Sequence, residues 1–196
     1  MFTGLVEEVG RIKKLASGRL EIASGLDGVK IGDSLAVNGA CLTVAGGADG
    51  IFSFELLPYT LKDTAFAELS AGAEVNLERA VPANGRFGGH FVSGHIDEAG
   101  IVSRLSGGLL TVSVRPEHKI YLAPKGSVAV NGVSLTMQAV RDREFTVNLV
   151  GHTLQNTMLR NLRTNDKVNI EYDLLFKYLQ KLLPAKPGSA LRKFLF

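Results

Sequence analysis

The chain has 196 residues, of which 45% are hydrophobic and 21% charged, so it has room for one or two ordinary globular domains. Its net charge of +3, with no Lys/Arg cluster ahead of the C-terminus, gives little support to nucleic-acid binding. The single cysteine, Cys41, excludes an intramolecular disulfide framework. No apolar run reaches the roughly 18 residues needed to cross a bilayer. Met1-Phe2-Thr3-Gly4 also lacks the regions of a signal peptide. A soluble, cytoplasmic protein with no membrane partner is expected.

Residues 2–12 predict an opening strand broken by glycines. Residues 19–23 alternate between apolar and polar, as half-buried strands do. Residues 29–44 predict two strands joined at Asn38-Gly39, because both residues tolerate the positive φ of a tight hairpin. Residues 51–56 give the next strand after the turn at 46–50. Residues 60–67 predict a short helix with Thr60 as N-cap and Asp63 at the capping-box position. Residues 73–78 close a set of six strands, a number and spacing that suit a small antiparallel barrel.

The pattern then starts again. Residues 32–78 laid on 125–171 without a gap share 17 identities in 47 positions, among them Ser34/Ser127, Asn38/Asn131, Gly39/Gly132, Asn76/Asn169 and Glu78/Glu171. Residues 2–12 echo 92–102 at an offset of 90, so the second copy gains three residues in between. A repeat this long marks two copies of a domain rather than a solenoid. The expected fold is all-β: two tandem six-stranded antiparallel Greek-key barrels plus a C-terminal α-helix. The divisions are 1–86, 87–173 and 174–196, with 80–86 as linker. In the last segment Leu174, Leu175, Tyr178, Leu179, Leu182 and Leu183 share one helical face, and Pro184 ends the helix. That stripe packs either on a barrel or on the same helix of other subunits. The tail 189–196 is basic and apolar.

His90 and His95 lie in the glycine-dense stretch 87–97, where backbone can approach a ligand closely. Their spacing, with no third ligand nearby, is poor for a metal. Cys41 and Thr43 lie two apart, on one side of a strand, and Ser134 and Thr136 repeat them. Such a face looks like a pocket wall built twice, offering small hydrogen-bonding groups to a planar polar ligand. No dinucleotide fingerprint, Walker loop or Ser-His-Asp pattern is present.

From residue 1 to about 183 the chain resembles the riboflavin synthase family of the α-subunit type. The resemblance rests on Met1-Phe2-Thr3-Gly4, Asn38 to Thr43, Gly88-Gly89-His90, Ser93-Gly94-His95, Asn131 to Thr136 and Asn169 to Asp173. It implies a transferase that needs no cofactor or metal. Two molecules of 6,7-dimethyl-8-ribityllumazine dismutate by moving a four-carbon unit, giving riboflavin and 5-amino-6-(D-ribitylamino)uracil. The resemblance also implies a homotrimer pairing the first barrel of one subunit with the second of its neighbour, and lumazine synthase as a partner. Carried over by position, Cys41, Ser34, His95 and His90 are the candidate catalytic residues, with Cys41, Ser34 or water as nucleophile. Phe2 would stack near the ring, with Thr3 beside it. Gly4, Leu5, Val6, Cys41, Leu42, Thr43, Glu55, Leu56, Leu57, Pro58, Tyr59 and Thr60 are ligand contacts of the first barrel. Gly94, His95, Ile96, Lys125, Ser134, Leu135, Thr136, Asn148, Leu149, Val150, Gly151, His152 and Thr153 are those of the second, with Asp173 nearby. Asn131 stands where the family pattern leads one to expect an aspartate.

Two other classes compete. A non-catalytic, antenna-type lumazine- or flavin-binding protein shares the duplicated fold, and the presence of Cys41, Ser34, His95 and Phe2 favours the enzyme over it. A flavin reductase-like oxidoreductase would need a nicotinamide-binding α/β unit, and no alternating βαβ segment occurs.

Overall fold

The computed structural model describes residues 1–182. Strands β1 (Glu8–Ala16), β2 (Arg19–Ala23), β3 (Ser34–Val37), β4 (Ala40–Ala48), β5 (Ile51–Glu55) and β6 (Glu74–Arg79) close into a barrel in the order β1-β2-β5-β4-β3-β6. Strands β7 (Glu98–Ser106), β8 (Leu109–Ser113), β9 (Ser127–Val130), β10 (Val133–Arg141), β11 (Glu144–Asn148) and β12 (Lys167–Tyr172) close a second barrel with the equivalent order. All pairings are antiparallel. Short helices α1 (Pro58–Asp63) and α2 (Gly151–Asn156) occupy matching places, and α3 (Leu174–Leu182) follows the second barrel. Both barrels are as the repeat implies, and the C-terminal helix is as the spacing of its apolar residues implies. Among the described residues, no helix is long and apolar enough to cross a membrane.

Alternation builds each barrel. Along β4, Ala40, Leu42 and Val44 point into the core while Cys41, Thr43 and Ala45 point out. Leu20, Ile22, Val37, Phe54, Val75 and Leu77 complete the first core. Val112, Val130, Phe145, Val147, Val168 and Ile170 belong to the second. Register shifts at Ile12/Lys14 and Val44/Gly46 recur at Val102/Arg104 and Met137/Ala139. A bulge sharpens local twist, which lets short strands close a small barrel.

Two details differ from the sequence reading. The opening strand begins at Glu8, not at residue 2. Phe2 instead forms a two-residue bridge with Val92, its own counterpart in the repeat, exchanging N–H···O bonds of 2.7 and 3.1 Å. The helix spans Pro58–Asp63, and Leu57 at its N-cap makes no side-chain bond. Proline suits a first helical turn because it lacks the N–H that would go unpaired there. The capping residue is Thr64, not Thr60: Thr64 Oγ1 accepts from Phe66 N (3.2 Å) at the start of the following 3-10 turn, as Thr157 does for Leu159. Of the two packings the sequence left open for the apolar stripe of α3, docking on the barrel is not seen. Leu175, Tyr178, Leu179 and Leu182 are 57–77% exposed, whereas Phe176 packs edge-on to Tyr121 and Lys177 pairs with Asp97 at 2.9 Å. Leu183 and the tail lie outside the described residues.

The barrels meet through their two Asn-Gly turns. Asn38 and Asn131 take φ of 43° and 44°, and Gly39 and Gly132 take 81° and 78°. The two glycines are in mutual contact, since a Cβ on Gly39 would lie 2.7 Å from Gly132 N and the reverse also holds. Around them four buried asparagines form a reciprocal network. Asn38 Oδ1 accepts from Asn76 N, and Asn131 Oδ1 from Asn169 N, both at 2.8 Å. Asn76 Nδ2 donates across the joint to Asn131 O (2.8 Å), and Asn169 Nδ2 to Asn38 O (2.9 Å). Their Oδ1 atoms accept from Met158 N and Ala65 N, each on the opposite barrel. Asn131 is therefore a turn residue of the joint, 2% exposed.

Removing one of these amides strands a buried carbonyl and a buried N–H. Asn76→Ala and Asn169→Ala are each expected to cost about 2–6 kcal/mol in urea unfolding, at roughly 1–3 kcal/mol for each of the two orphaned groups. A loss below about 1 kcal/mol would mean that the joint does not rest on this network.

Candidate functional site

The outer face of β4 carries Cys41, half-buried, and Thr43, exposed. On β3, Ser34 pairs with Thr43 and Ala36 with Cys41, so Ser34 belongs to the same face. Ser34 also lines a cavity of about 490 Å³ with Thr3, Leu5, Glu78, Arg79 and Arg86. On β10, Ser134 and Thr136 repeat the arrangement, with Ser127 paired to Thr136. The strand ends that follow fall beside these faces. Val44 pairs with Phe54, so Glu55 and the exposed Leu57, Pro58 and Tyr59 emerge near Thr43. Met137 pairs with Val147, so Asn148, Val150, Gly151 and His152 emerge near Thr136. Lys125 N donates to Met137 O (2.8 Å), which puts Lys125 at the same edge.

What lies across each face corrects the sequence reading. Cys41 N donates to Gly94 O, and Ser134 N donates to Gly4 O, both at 2.8 Å. The segment Gly94–Ile96 therefore covers the first barrel, where Ile96 packs against its core. Gly4–Val6 covers the second barrel, where Val6 packs. The arms were assigned to their own repeats, but they are exchanged. What permits it is steric. Gly4 and Gly94 have φ of 78° and 86°, and a Cβ on either would run into the Cβ of Ser134 or Cys41. Only glycine lets the arm backbone approach closely enough to bond the strand.

Other residues divide between face and scaffold. Phe2 is wholly buried with Val92, Ala36 and Ala129, behind Cys41. It has no free face with which to stack on a ring, so that expected role is corrected. Leu42, Leu56, Leu135 and Leu149 also point into the barrel cores and can offer a ligand only backbone. Thr3 is 4% exposed, and its Oγ1 donates to Glu78 (3.1 Å). The Thr60 carbonyl accepts from Thr64 Oγ1, and that of Thr153 from Thr157 Oγ1. Asp173 Oδ1 accepts from Leu175 N, starting α3. His95 is exposed beside Gly94, with its N–H on Ser93 Oγ (3.2 Å).

His90 sits on the other face. Its Nδ1 lies 2.7 Å from Ser134 Oγ, and its backbone N donates to Thr3 O. Its Nε2 is buried with no hydrogen-bond partner among the described residues. Burial holds the imidazole below its ordinary pKa, against an opposing pull from Asp173. A neutral imidazole bonded to a hydroxyl can accept that hydroxyl's proton, the arrangement by which serine is made nucleophilic. Among the described residues no group of three His, Cys, Asp or Glu side chains is placed to hold a metal ion.

Sequence reasoning missed Glu78 and Glu171 as site-shaping groups. Each is buried, and each holds an arm: Glu78 accepts from Thr3 N and Gly4 N, Glu171 from Ser93 N and Gly94 N. Burial pushes both carboxyls above their ordinary pKa. Their recurrence in both copies was the available signal.

Comparison with known proteins agrees with this architecture. The family description "lumazine binding domain" matches residues 3–80 and 93–173. A riboflavin synthase of Bacillus amyloliquefaciens is 42% identical over 193 residues, covering 93% of this chain and 90% of its own. The chain belongs to the riboflavin synthase family of lumazine-binding proteins. The riboflavin synthase of Schizosaccharomyces pombe is 35% identical, covering 98% of this chain and 99% of its own. A crystal structure of LumP complexed with 6,7-dimethyl-8-(1'-D-ribityl) lumazine superposes with a TM-score of 0.78 at 26% identity, covering 88% of this chain and 99% of that one.

The depressed pKa of His90 sets a pH dependence. Protonation below the ordinary value of 6.5 occurs more readily in the unfolded chain than in the folded one. His90's contribution is thus complete above about pH 6.5 and is lost as pH falls toward the lowered folded value. Urea midpoints measured from about pH 7.5 down to 5 should fall more steeply for wild type than for His90→Gln. Parallel curves would show that the ring is not desolvated as described.

Proposed function

We propose that this chain is a riboflavin synthase. It converts two molecules of 6,7-dimethyl-8-ribityllumazine into one riboflavin and one 5-amino-6-(D-ribitylamino)uracil, with no cofactor or metal. The observation that carries the reading is the twin strand face, Cys41/Thr43 and Ser134/Thr136, presented once by each barrel of a family whose members carry this name. Residues 1–86 and 87–173 are the two barrel units, each binding face being completed by the arm of the other. Two copies of one substrate need two similar pockets, and a duplicated domain supplies them. Holding the reactants face to face removes part of the barrier through proximity alone.

The remaining chemistry is mild. The 7-methyl group of a lumazine is acidic because its anion delocalises into the ring, so a modest base suffices. His95, exposed beside Gly94, and His90, beside Ser134 Oγ, are the candidates. Cys41, Ser34 or water adds to the partner ring, and Ser134 with His90 is the corresponding pair on the other barrel. The exposed backbone and side chains of Glu55–Thr60 and Asn148–Thr153, with Lys125, border the ligands.

The chain assembles as a homotrimer through α3, in which the first barrel of one subunit faces the second barrel of the next. The reading is supported by the exposed stripe Leu175, Tyr178, Leu179 and Leu182. We place it in the cytoplasm, where a lone thiol such as Cys41 stays reduced. Association with lumazine synthase is proposed on the family likeness alone.

The deciding experiment mixes the purified protein with 6,7-dimethyl-8-ribityllumazine and a chelator and follows riboflavin absorbance. One riboflavin should form for every two lumazines consumed. Tight binding without turnover would instead make it a carrier of the LumP kind. Cys41→Ala is expected to lower turnover by about 100-fold, the loss typical of a positioned catalytic group, with the fold intact by circular dichroism; wild-type turnover would remove Cys41 from the chemistry. Light scattering at micromolar concentration should give three times the chain's 21.0 kDa, and a monomer mass would end the trimer proposal.

A further inference from the structure

Glu171 lies on β12 of the second barrel and is 1% exposed. It accepts from Ser93 N (2.7 Å), Ser93 Oγ (2.6 Å) and Gly94 N (2.9 Å). The carbonyl of that same Gly94 accepts from Cys41 N on the first barrel. Glu78 lies on β6 of the first barrel and is 6% exposed. It accepts from Thr3 N (2.7 Å), Thr3 Oγ1 (3.1 Å) and Gly4 N (3.1 Å), and Gly4 O accepts from Ser134 N on the second barrel. Each carboxylate is thus linked, through two backbone groups of one glycine, to the reactive strand of the barrel it does not belong to.

A barrel does not need these groups for closure, because their hydrogen bonds go to the arms and not to the ladders. A carboxylate buried without a close cation is costly unless donors satisfy it. Its two oxygens meet three donors here, a pattern that a neutral amide, with one acceptor oxygen, cannot reproduce. Burial already raises both carboxyls above their ordinary pKa, so the charge is held against a penalty. The same costly device is built twice, at the two places where an arm must be fixed over the opposite barrel.

We propose that Glu171 and Glu78 are positioning residues that act across the joint, Glu171 setting the arm over the Cys41 face and Glu78 setting the arm over the Ser134 face. The functional meaning rests on the reading that these faces bind substrate. The geometry itself can be tested without turnover, because Cys41 is the chain's single cysteine and reports on one face alone.

The test is the rate of Cys41 alkylation by iodoacetamide in the full-length protein, with and without riboflavin, at one pH and below the onset of urea unfolding. Glu171→Gln should speed alkylation about tenfold, the change in opening equilibrium that loss of one charge-assisted hydrogen bond produces. It should also weaken protection by riboflavin. Glu78→Gln, although it lies in Cys41's own barrel, should stay within about twofold of wild type. A general loss of stability would raise both rates together, so equal effects, or a larger effect from Glu78→Gln, would overturn the proposal. Ser93→Ala removes one donor while leaving the buried carboxylate in place. It should give a rate between wild type and Glu171→Gln, and it decides the matter if Glu171→Gln does not fold: a wild-type rate overturns the proposal. Failure of riboflavin to protect the wild-type thiol would count against the functional reading and leave the positioning role to be decided by the rates without ligand.

Discussion

Asn38-Gly39 and Asn131-Gly132 sit back to back, and the positions of both functional faces follow from that contact. A turn with positive φ at both residues lets β3 and β4, and β9 and β10, fold tightly enough for two glycine backbones to touch. The contact brings equivalent residues of the two copies opposite each other. Phe2 then meets Val92, and Gly4 and Gly94 reach over to Ser134 and Cys41. The amides of Asn76 and Asn169 satisfy two carbonyls and two N–H groups across the joint. Polar groups at such a joint specify its geometry more than an apolar patch could, because a small slip would leave several buried donors without acceptors.

Much of this was legible in the chain. Period-two alternation gave the strands, and the Asn-Gly pairs gave the hairpins and the repeat. What alternation cannot say is which strand a segment pairs with. Phe2 to Val6 read as part of β1, yet a positive φ at Gly4 turns that segment out of its own barrel and onto the other. The helix start was misplaced because a threonine resembles an N-cap wherever it stands, whereas Pro58 fixes the first turn. Phe2 was expected at a ligand because the family resemblance carries over an N-terminal segment that shapes the site. Burial decides otherwise, since the joint needs an apolar plug behind Cys41. The Glu78/Glu171 pair was visible as an identity across copies, but its purpose appears only when the arms are seen to cross.

The two copies differ where the second must carry a helix. In the first barrel, Glu7 and Arg79 form a half-exposed ion pair, which contributes about 0–1 kcal/mol, and Glu8 accepts from Gly25 N at the surface. At the matching positions of the second barrel, Asp97 takes Lys177 of α3 and the N–H of Tyr172. Glu98, fully buried, accepts from Tyr172 Oη, from Arg115 N and lies 2.6 Å from His118 Nδ1. Burial, and then the carboxylate beside it, push the Tyr172 hydroxyl well above its ordinary pKa, so it remains a donor. The 3-10 turn Pro116–Tyr121 supplies His118 and Tyr121, and their rings, with Tyr172, make the surface on which Phe176 rests. A helix of nine residues is marginal alone, and this cluster anchors one face of it while its leucines remain turned outward.

Arm exchange also bears on why two similar barrels share one chain. Each face is made of a strand from one copy and an arm from the other, so a single barrel carries only half of either. Two separate barrels would have to meet in one register before either face existed. Joined by the linker at 80–86, the second barrel is always present at high effective concentration, and the joint forms within the chain instead of by encounter. Once paired, the copies were free to diverge on their outer surfaces, as the α3 anchor has, while Asn38, Gly39, Asn76 and Glu78 had to match Asn131, Gly132, Asn169 and Glu171. The identities shared by the copies fall at the joint and the arms and also in the two cores, as at Val37/Val130, Leu42/Leu135, Leu56/Leu149 and Val75/Val168. The core pairs are the less strictly imposed, because a barrel interior accepts many apolar combinations of equal volume.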